Sequence, residues 1–134
     1  NRNSVCIIGI ESVPAMDNLS EILKVDGIDA IFVGPNDLTI SLGIPNQYDH
    51  PDYESALRKI IKSCKEKRIP VLIHHQTVDL TIKWLKEGAQ FVLHSSDRRQ
   101  IHQGYRHDFN TIQKVGSELM GEGISAIGES TEVI

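Results

Sequence analysis

Ile28-Asp29-Ala30-Ile31-Phe32-Val33-Gly34-Pro35-Asn36-Asp37-Leu38 is the stretch that decides how this chain folds. Its first six residues are mostly apolar, and the run is nearly continuous rather than strictly alternating. Successive side chains of a strand point to opposite faces, so such a run describes a strand buried on both faces, as parallel strands are. Gly34 and Pro35 then end it, since Pro lacks the N–H a sheet ladder needs and Gly allows a tight turn. Polar Asn36 and Asp37 are left at the strand's C-terminal end.

Three further runs read the same way: Val5 to Ile10, Pro70 to Ile73 and Gln90 to Leu93. A helical pattern follows each of the four runs. Pro14 suits the opening turn of the first, and Met16, Leu19, Ile22 and Leu23 share a face. Pro51 opens the second, with Tyr53, Leu57, Ile60, Ile61 and Cys64 on one side. In the third, Thr77 is the expected N-cap, Val78, Ile82 and Leu85 the apolar face, and Gly88 the stop. The fourth is capped by Asp97 and carries Ile101 and Tyr105, and a separate helix runs from Asp108 with Phe109, Ile112, Val115 and Leu119. Thr39 to His50 is the longest internal loop, either a lid or a surface connection.

The resulting order, βαβαβαβα, calls for a parallel sheet with right-handed crossovers. Two architectures remain, an open doubly wound sheet or part of a (β/α)8 barrel. A full barrel takes about 250 residues, and this chain has 134. It opens on Asn with an apolar run close behind, as a chain cut from something longer would. Residues 1–120 form the folded part, and 121–134, with Gly121, Gly123 and Gly128, a loosely ordered tail.

Composition narrows the function classes. Apolar residues make up 40% of the chain, enough for a core, and the net charge is −4. No Lys/Arg block marks a nucleic-acid partner. No apolar stretch nears the roughly 18 residues of a membrane span. Cys6 and Cys64 lie far apart within apolar segments and read as buried thiols, which fits a reducing, cytoplasmic location. No Gly-rich phosphate loop follows the first strand, so a nucleotide-binding domain is disfavoured.

The strand ends carry the chemistry. Glu11 closes the first run and Asp37 follows the second. Adjacent parallel strands lie about 4.8 Å apart, so both carboxylates can reach one ion. Two carboxylates suit Mg2+ or Mn2+, hard cations that keep open positions for water and substrate. The competing reading is a helix-capping Asp and a solvated Glu.

Ile10-Glu11-Ser12, Asn18, Ile22 and the long run Val25 to Leu38 together resemble the signature of the HpcH/HpaI aldolases. Ser41-Leu42-Gly43, His50-Pro51 and Glu87-Gly88-Ala89-Gln90-Phe91-Val92 continue the likeness over roughly residues 5 to 105. The resemblance implies a (β/α)8 barrel of which this chain supplies the last four βα units. It implies a metal-dependent, class II aldolase or lyase that makes or breaks a carbon–carbon bond with pyruvate or a related 2-keto acid and an aldehyde. Glu11 and Asp37 would then ligate the metal, a Lewis acid toward the keto acid. Gly34, Pro35, Asn36 and Asp37 would form the substrate-binding turn, with backbone groups around Asn36 and Asp37 on the keto-acid carboxylate. It further implies a homo-oligomer whose subunits exchange the last helix, through the region from Asp97 to Leu119.

Two departures stand out. Many members have Gln two residues before the metal-binding Glu, where this chain has Gly9. In the family it resembles, the proton-transferring His and carbonyl-polarising Arg come from the barrel's first half, so no acid–base residue is assigned. Among the strand-end histidines, His74, His75 and His94, one of the adjacent pair must point away from the site. His75 and His94 are kept as candidates against the plainer reading of turn histidines. Ser96 or Asp97 is a ready N-cap, Trp84 reads as helix packing, and Lys62, Lys65, Lys67 and Arg68 as a solvated face. No lysine sits within an apolar strand, which weakens a Schiff-base aldolase. The alternative is that the chain by itself is an inactive half barrel or an assembly module, its exposed strand edges needing partners.

Overall fold

The computed structural model of the chain describes residues 3–120, so the expected tail at 121–134 lies outside the described residues. Four strands form one sheet: β1 (Ile7–Ile10), β2 (Ala30–Val33), β3 (Val71–His75) and β4 (Phe91–His94). Every neighbouring pair is parallel, and their spatial order is their chain order. A doubly wound sheet reverses its strand order at a switch point. This sheet does not reverse, so it is a barrel segment, and the chain is a partial (β/α)8 barrel of four βα units.

Register assigns the two faces. Ile10 pairs with Val33, Ile31 with Val71, and Val33 with Ile73. All five are at most 1% exposed and form one face, beneath the helices. On the opposite face Ile7, Phe91 and Leu93 are exposed, and Phe32 and Leu72 half-buried. Within residues 3–95 the helices therefore cover one face only.

Among the described residues, six helices join the strands or follow them. Ser12 caps α1 (Val13–Asp17), its hydroxyl accepting from Ala15 N at 3.3 Å. The expected single helix here is broken at Asn18, where α2 (Leu19–Ile22) begins, and Leu19 and Leu23 carry the burial. Part of the expected 39–50 loop is helical, since α3 spans Pro35–Ser41 with Pro35 in its first turn. α4 (Pro51–Glu66) matches its reading closely, burying Tyr53, Ala56, Leu57, Ile60, Ile61 and Cys64 at spacings of three and four.

α5 (Val78–Lys86) corrects the reading of its apolar face. Thr81 and Trp84 are buried, while Val78, Ile82 and Leu85 are exposed. Trp84 is the largest apolar surface on the helix, and orienting it inward turns the aliphatic stripe out. Thr81 tolerates burial because its hydroxyl donates to Thr77 O at 2.8 Å. Thr77 does sit at the N-cap position, without a side-chain cap bond, and Gly88 follows the helix at φ +110°. Cys64 is buried as expected, but Cys6 is exposed, because it lies before β1 begins.

The chain divides into two compact units, Asn1–Ser95 and a second from Ser96 onward. Within the second, the two expected helices are one, α6 (Asp97–Met120). Its apolar residues Ile101, Tyr105, Phe109, Ile112, Val115 and Leu119 recur every three or four positions, and all are exposed. Ser96, rather than Asp97, caps it, accepting from Arg99 N at 3.3 Å. No helix among the described residues is long and apolar enough to cross a membrane.

Candidate functional site

Glu11 and Gly34 lie one residue beyond the paired positions Ile10 and Val33, at the C-terminal ends of β1 and β2. Strand alternation puts Glu11 on the face opposite Ile10, the face the helices leave open. The contacts agree. A Cβ built on Gly9 lies 3.4 Å from Glu11 Cδ, and one on Gly34 only 2.8 Å from Glu11 Cδ and Cγ and closer still to Oε1. The Glu11 carboxylate thus lies across the Gly34 backbone, beside the turn that carries Asn36 and Asp37.

Gly34 is the N-cap of α3, and Asn36 and Asp37 fall in its exposed first turn. The first N–H groups of a helix have no acceptor within it, and Pro35 has none to offer. The backbone at Asn36 and Asp37 therefore presents donors at the strand end. Asp37 lies in that same turn, where a carboxylate is favoured by the helix dipole.

A second set of contacts fixes this turn. The Thr39 hydroxyl, wholly buried, donates to Asn36 O at 2.8 Å and accepts from Asn46 N at 3.2 Å. The Tyr48 hydroxyl reaches Asn36 Oδ1 at 2.5 Å and Asn46 Oδ1 at 3.0 Å. The Tyr48 ring lies edge-on to Tyr53 and to His75, each with centroids 5.9 Å apart. These anchors tie the segment from Gly43 to His50 onto the Gly34–Asp37 turn, so it is a buttress in this structure. Tyr48→Phe is expected to lower stability by about 1 kcal/mol in urea unfolding and to speed amide exchange selectively over residues 43–48.

The histidines divide by face. His74 shares the open face, half-buried, its Nε2 3.0 Å from Ser95 O. His75 pairs with His94 on the helix-covered face, away from Glu11. His75 is 3% exposed, its Nε2 3.4 Å from the Tyr53 hydroxyl. Burial pushes its pKa down to about 4, with His74 and Lys83 adding to the fall and Asp49 opposing it. It is neutral at pH 7. His94 is exposed and reaches the Thr81 hydroxyl through Nδ1 at 3.2 Å.

Lys83, whose charge also bears on His75, bonds Glu54, as does Arg58, and the Glu54 carboxyl is held below the usual range chiefly by Lys83. Arg58 also bridges to Glu87, joining α4 to the end of α5. This network lies on the helices and contains neither Glu11 nor Asp37.

Among the described residues no group of three or more His, Cys, Asp or Glu side chains is poised around one ion. Neither Glu11 nor Asp37 is in an ion pair among the described residues. Hard oxygen donors without a cationic partner suit a divalent cation that takes its other ligands from water and substrate. The space that a Cβ at residue 34 would fill is what lets Glu11 lie there.

Sequential parallel βα units with polar residues at the C-terminal strand ends define a protein of the (β/α)8-barrel type. The HpcH/HpaI aldolase/citrate lyase family model matches residues 1–103, and the chain belongs to that family. Over 97 residues it is 36% identical to a 2-dehydro-3,6-dideoxy-6-sulfogluconate aldolase of Pseudomonas putida, covering 72% of this chain and 38% of that one. It is also 36% identical, over 92 residues, to a 2-keto-3-deoxy-L-rhamnonate aldolase of Escherichia coli, covering 68% of this chain and 34% of that protein. The chain thus spans little more than a third of the length of either relative. Among solved structures, an HpcH/HpaI aldolase from Desulfitobacterium hafniense superposes with a TM-score of 0.75 at 27% identity, over 81% of this chain and 42% of that one. A family protein from Burkholderia cenocepacia gives 0.80 at 25% identity, over 84% and 44%.

Sequence reasoning missed Tyr48 and Thr39 as supports of the Gly34–Asp37 turn. Thr39 carried a weak signal, three residues after Asn36 and thus one helical turn away. Tyr48 carried none, because its contact depends on how the intervening loop returns.

Proposed function

We propose that the protein to which this chain belongs is a metal-dependent aldolase or lyase that cleaves or forms a carbon–carbon bond using pyruvate or a related 2-keto acid. The observation that carries this reading is the Glu11 carboxylate lying across Gly34 at the head of the Gly34-Pro35-Asn36-Asp37 turn. The names of the two aldolase relatives specify 2-keto or 2-dehydro acids, which supports that substrate class.

In this reading Glu11 and Asp37 hold a divalent metal, Mg2+ or Mn2+. Bound there, the metal supplies Lewis-acid polarisation of the keto-acid oxygens. The backbone donors at Asn36 and Asp37 orient the substrate carboxylate, and Tyr48 and Thr39 keep that turn in place. Holding the keto acid in one orientation removes entropy that the reaction would otherwise have to lose. An aldehyde is the second substrate. The two unpaired cysteines fit a reducing, cytoplasmic setting. The exposed stripe of α6 supports homo-oligomer assembly through that helix.

A second reading, an assembly module without activity of its own, is favoured by one observation. The open sheet face shows Ile7, Phe91 and Leu93, apolar residues that stay uncovered within residues 3–95.

The test is Mn2+ titration calorimetry on the chain and its Glu11→Ala and Asp37→Ala variants, with and without pyruvate. Each substitution is expected to weaken Mn2+ binding at least tenfold, about 1.4 kcal/mol, and pyruvate to strengthen it. Binding indifferent to both substitutions would remove the metal reading in favour of the assembly module.

A further inference from the structure

We infer that Gly34 is a positioning residue for the metal ligand Glu11. The inference rests on the function proposed above and adds a residue whose part there is indirect. Glycine is usually retained for its backbone freedom, but Gly34 has φ −83° and ψ 102°, an extended conformation open to any residue. Backbone strain therefore does not account for it. Space does. A Cβ at residue 34 would sit 2.8 Å from both Glu11 Cδ and Cγ and closer to Oε1, well inside van der Waals contact.

The neighbouring glycine provides the contrast. A Cβ at Gly9 would meet the same carboxylate at 3.4 to 3.6 Å, which is ordinary contact. Gly9 thus has room for a methyl, while Gly34 does not unless Glu11 moves. The obstructed group is the far end of a flexible side chain, so a methyl at residue 34 displaces Glu11 rather than the backbone. A half-buried Glu can take another rotamer at little cost. The consequence is a substitution that spares the fold and moves one ligand by roughly 1 Å, enough to spoil coordination that depends on short metal–oxygen distances.

The experiment compares the chain with its Gly34→Ala, Gly9→Ala, Glu11→Ala and Gly34→Ala/Glu11→Ala variants, by Mn2+ calorimetry, thermal unfolding and the crystal structure of Gly34→Ala. The expected result is a Gly34→Ala chain with an unchanged unfolding midpoint, a displaced Glu11 carboxylate and at least tenfold weaker Mn2+ binding. Gly9→Ala should bind within twofold of the parent. In the Glu11→Ala background Gly34→Ala should add nothing, because both act on one group. Undiminished Mn2+ affinity in Gly34→Ala, or a further loss in the double variant, would overturn the inference. If the parent chain binds no Mn2+, the metal reading fails, and the crystal structure decides the positional claim. A Glu11 carboxylate still lying across residue 34 would then overturn it, and a displaced one would sustain it.

Discussion

Trp84→Ala is expected to destabilise the unit formed by residues 1–95 by about 3–5 kcal/mol, the range for emptying a buried aromatic site. Trp84 is wholly buried and meets Tyr53 edge-to-face at 6.3 Å between centroids. Arg58 and Lys83 lie over its ring, at 5.8 and 5.7 Å from the centroid. Removing the indole opens a cavity between α4 and α5 and strips these two cations of their aromatic support. Tyr53, wholly buried, cannot shift to fill the space without leaving His75. The indole Nε1 has no hydrogen-bond partner among the described residues. An unsatisfied buried donor is costly, so Trp84→Phe, which keeps most of the volume and deletes that donor, should cost under about 1.5 kcal/mol. Urea unfolding of both variants checks this. Equal losses for Phe and Ala would show that the ring's volume is not what holds the helices together.

The second large effect is on the pH dependence of stability, through His75. In the folded chain its pKa is pushed down to about 4, against an ordinary value of 6.5. The groups around it are Tyr48, Tyr53, His74, Asp49 and Lys83. Between these two values the unfolded chain binds a proton that the folded chain refuses. Stability therefore falls as pH drops below about 6.5 and levels off near 4, a loss of about 3 kcal/mol. His75→Phe keeps a ring against the two tyrosines and removes the titration. Its stability should be almost flat over that window once the shared response of the carboxylates is subtracted. Urea unfolding at pH 7 and pH 4.5 on both chains measures the difference. Parallel pH profiles would show that water or a local opening relieves the buried imidazole.

Much of the candidate site was legible in the sequence. Glu11 and Asp37 follow apolar runs, and a chain leaving a parallel strand places its next polar residues at the sheet's C-terminal edge. The family signature from Val25 to Leu38 added the roles proposed for them. The supports were not legible. That Gly34 leaves room for Glu11 follows from the register of β1 on β2, which joins residues 23 apart in sequence. Tyr48 reaches Asn36 only because a loop folds back over twelve residues.

By itself the sequence determined the four strands, their alternation with helices, the buried face of α4 and the family, because each is written in periodicity or motif over neighbouring residues. The tertiary structure decided which way alternating residues point. Its sequential strand order bore out the barrel that the family signature implied, which periodicity by itself left open against a doubly wound sheet. Its helix-covered face took His75 and left His74 on the open side with Glu11. Its packing turned Trp84 and Thr81 of α5 inward and left Val78, Ile82 and Leu85 out. A local pattern fixes which residues share a face. What covers that face is fixed by contacts between residues far apart in the chain, and so only by the assembled fold.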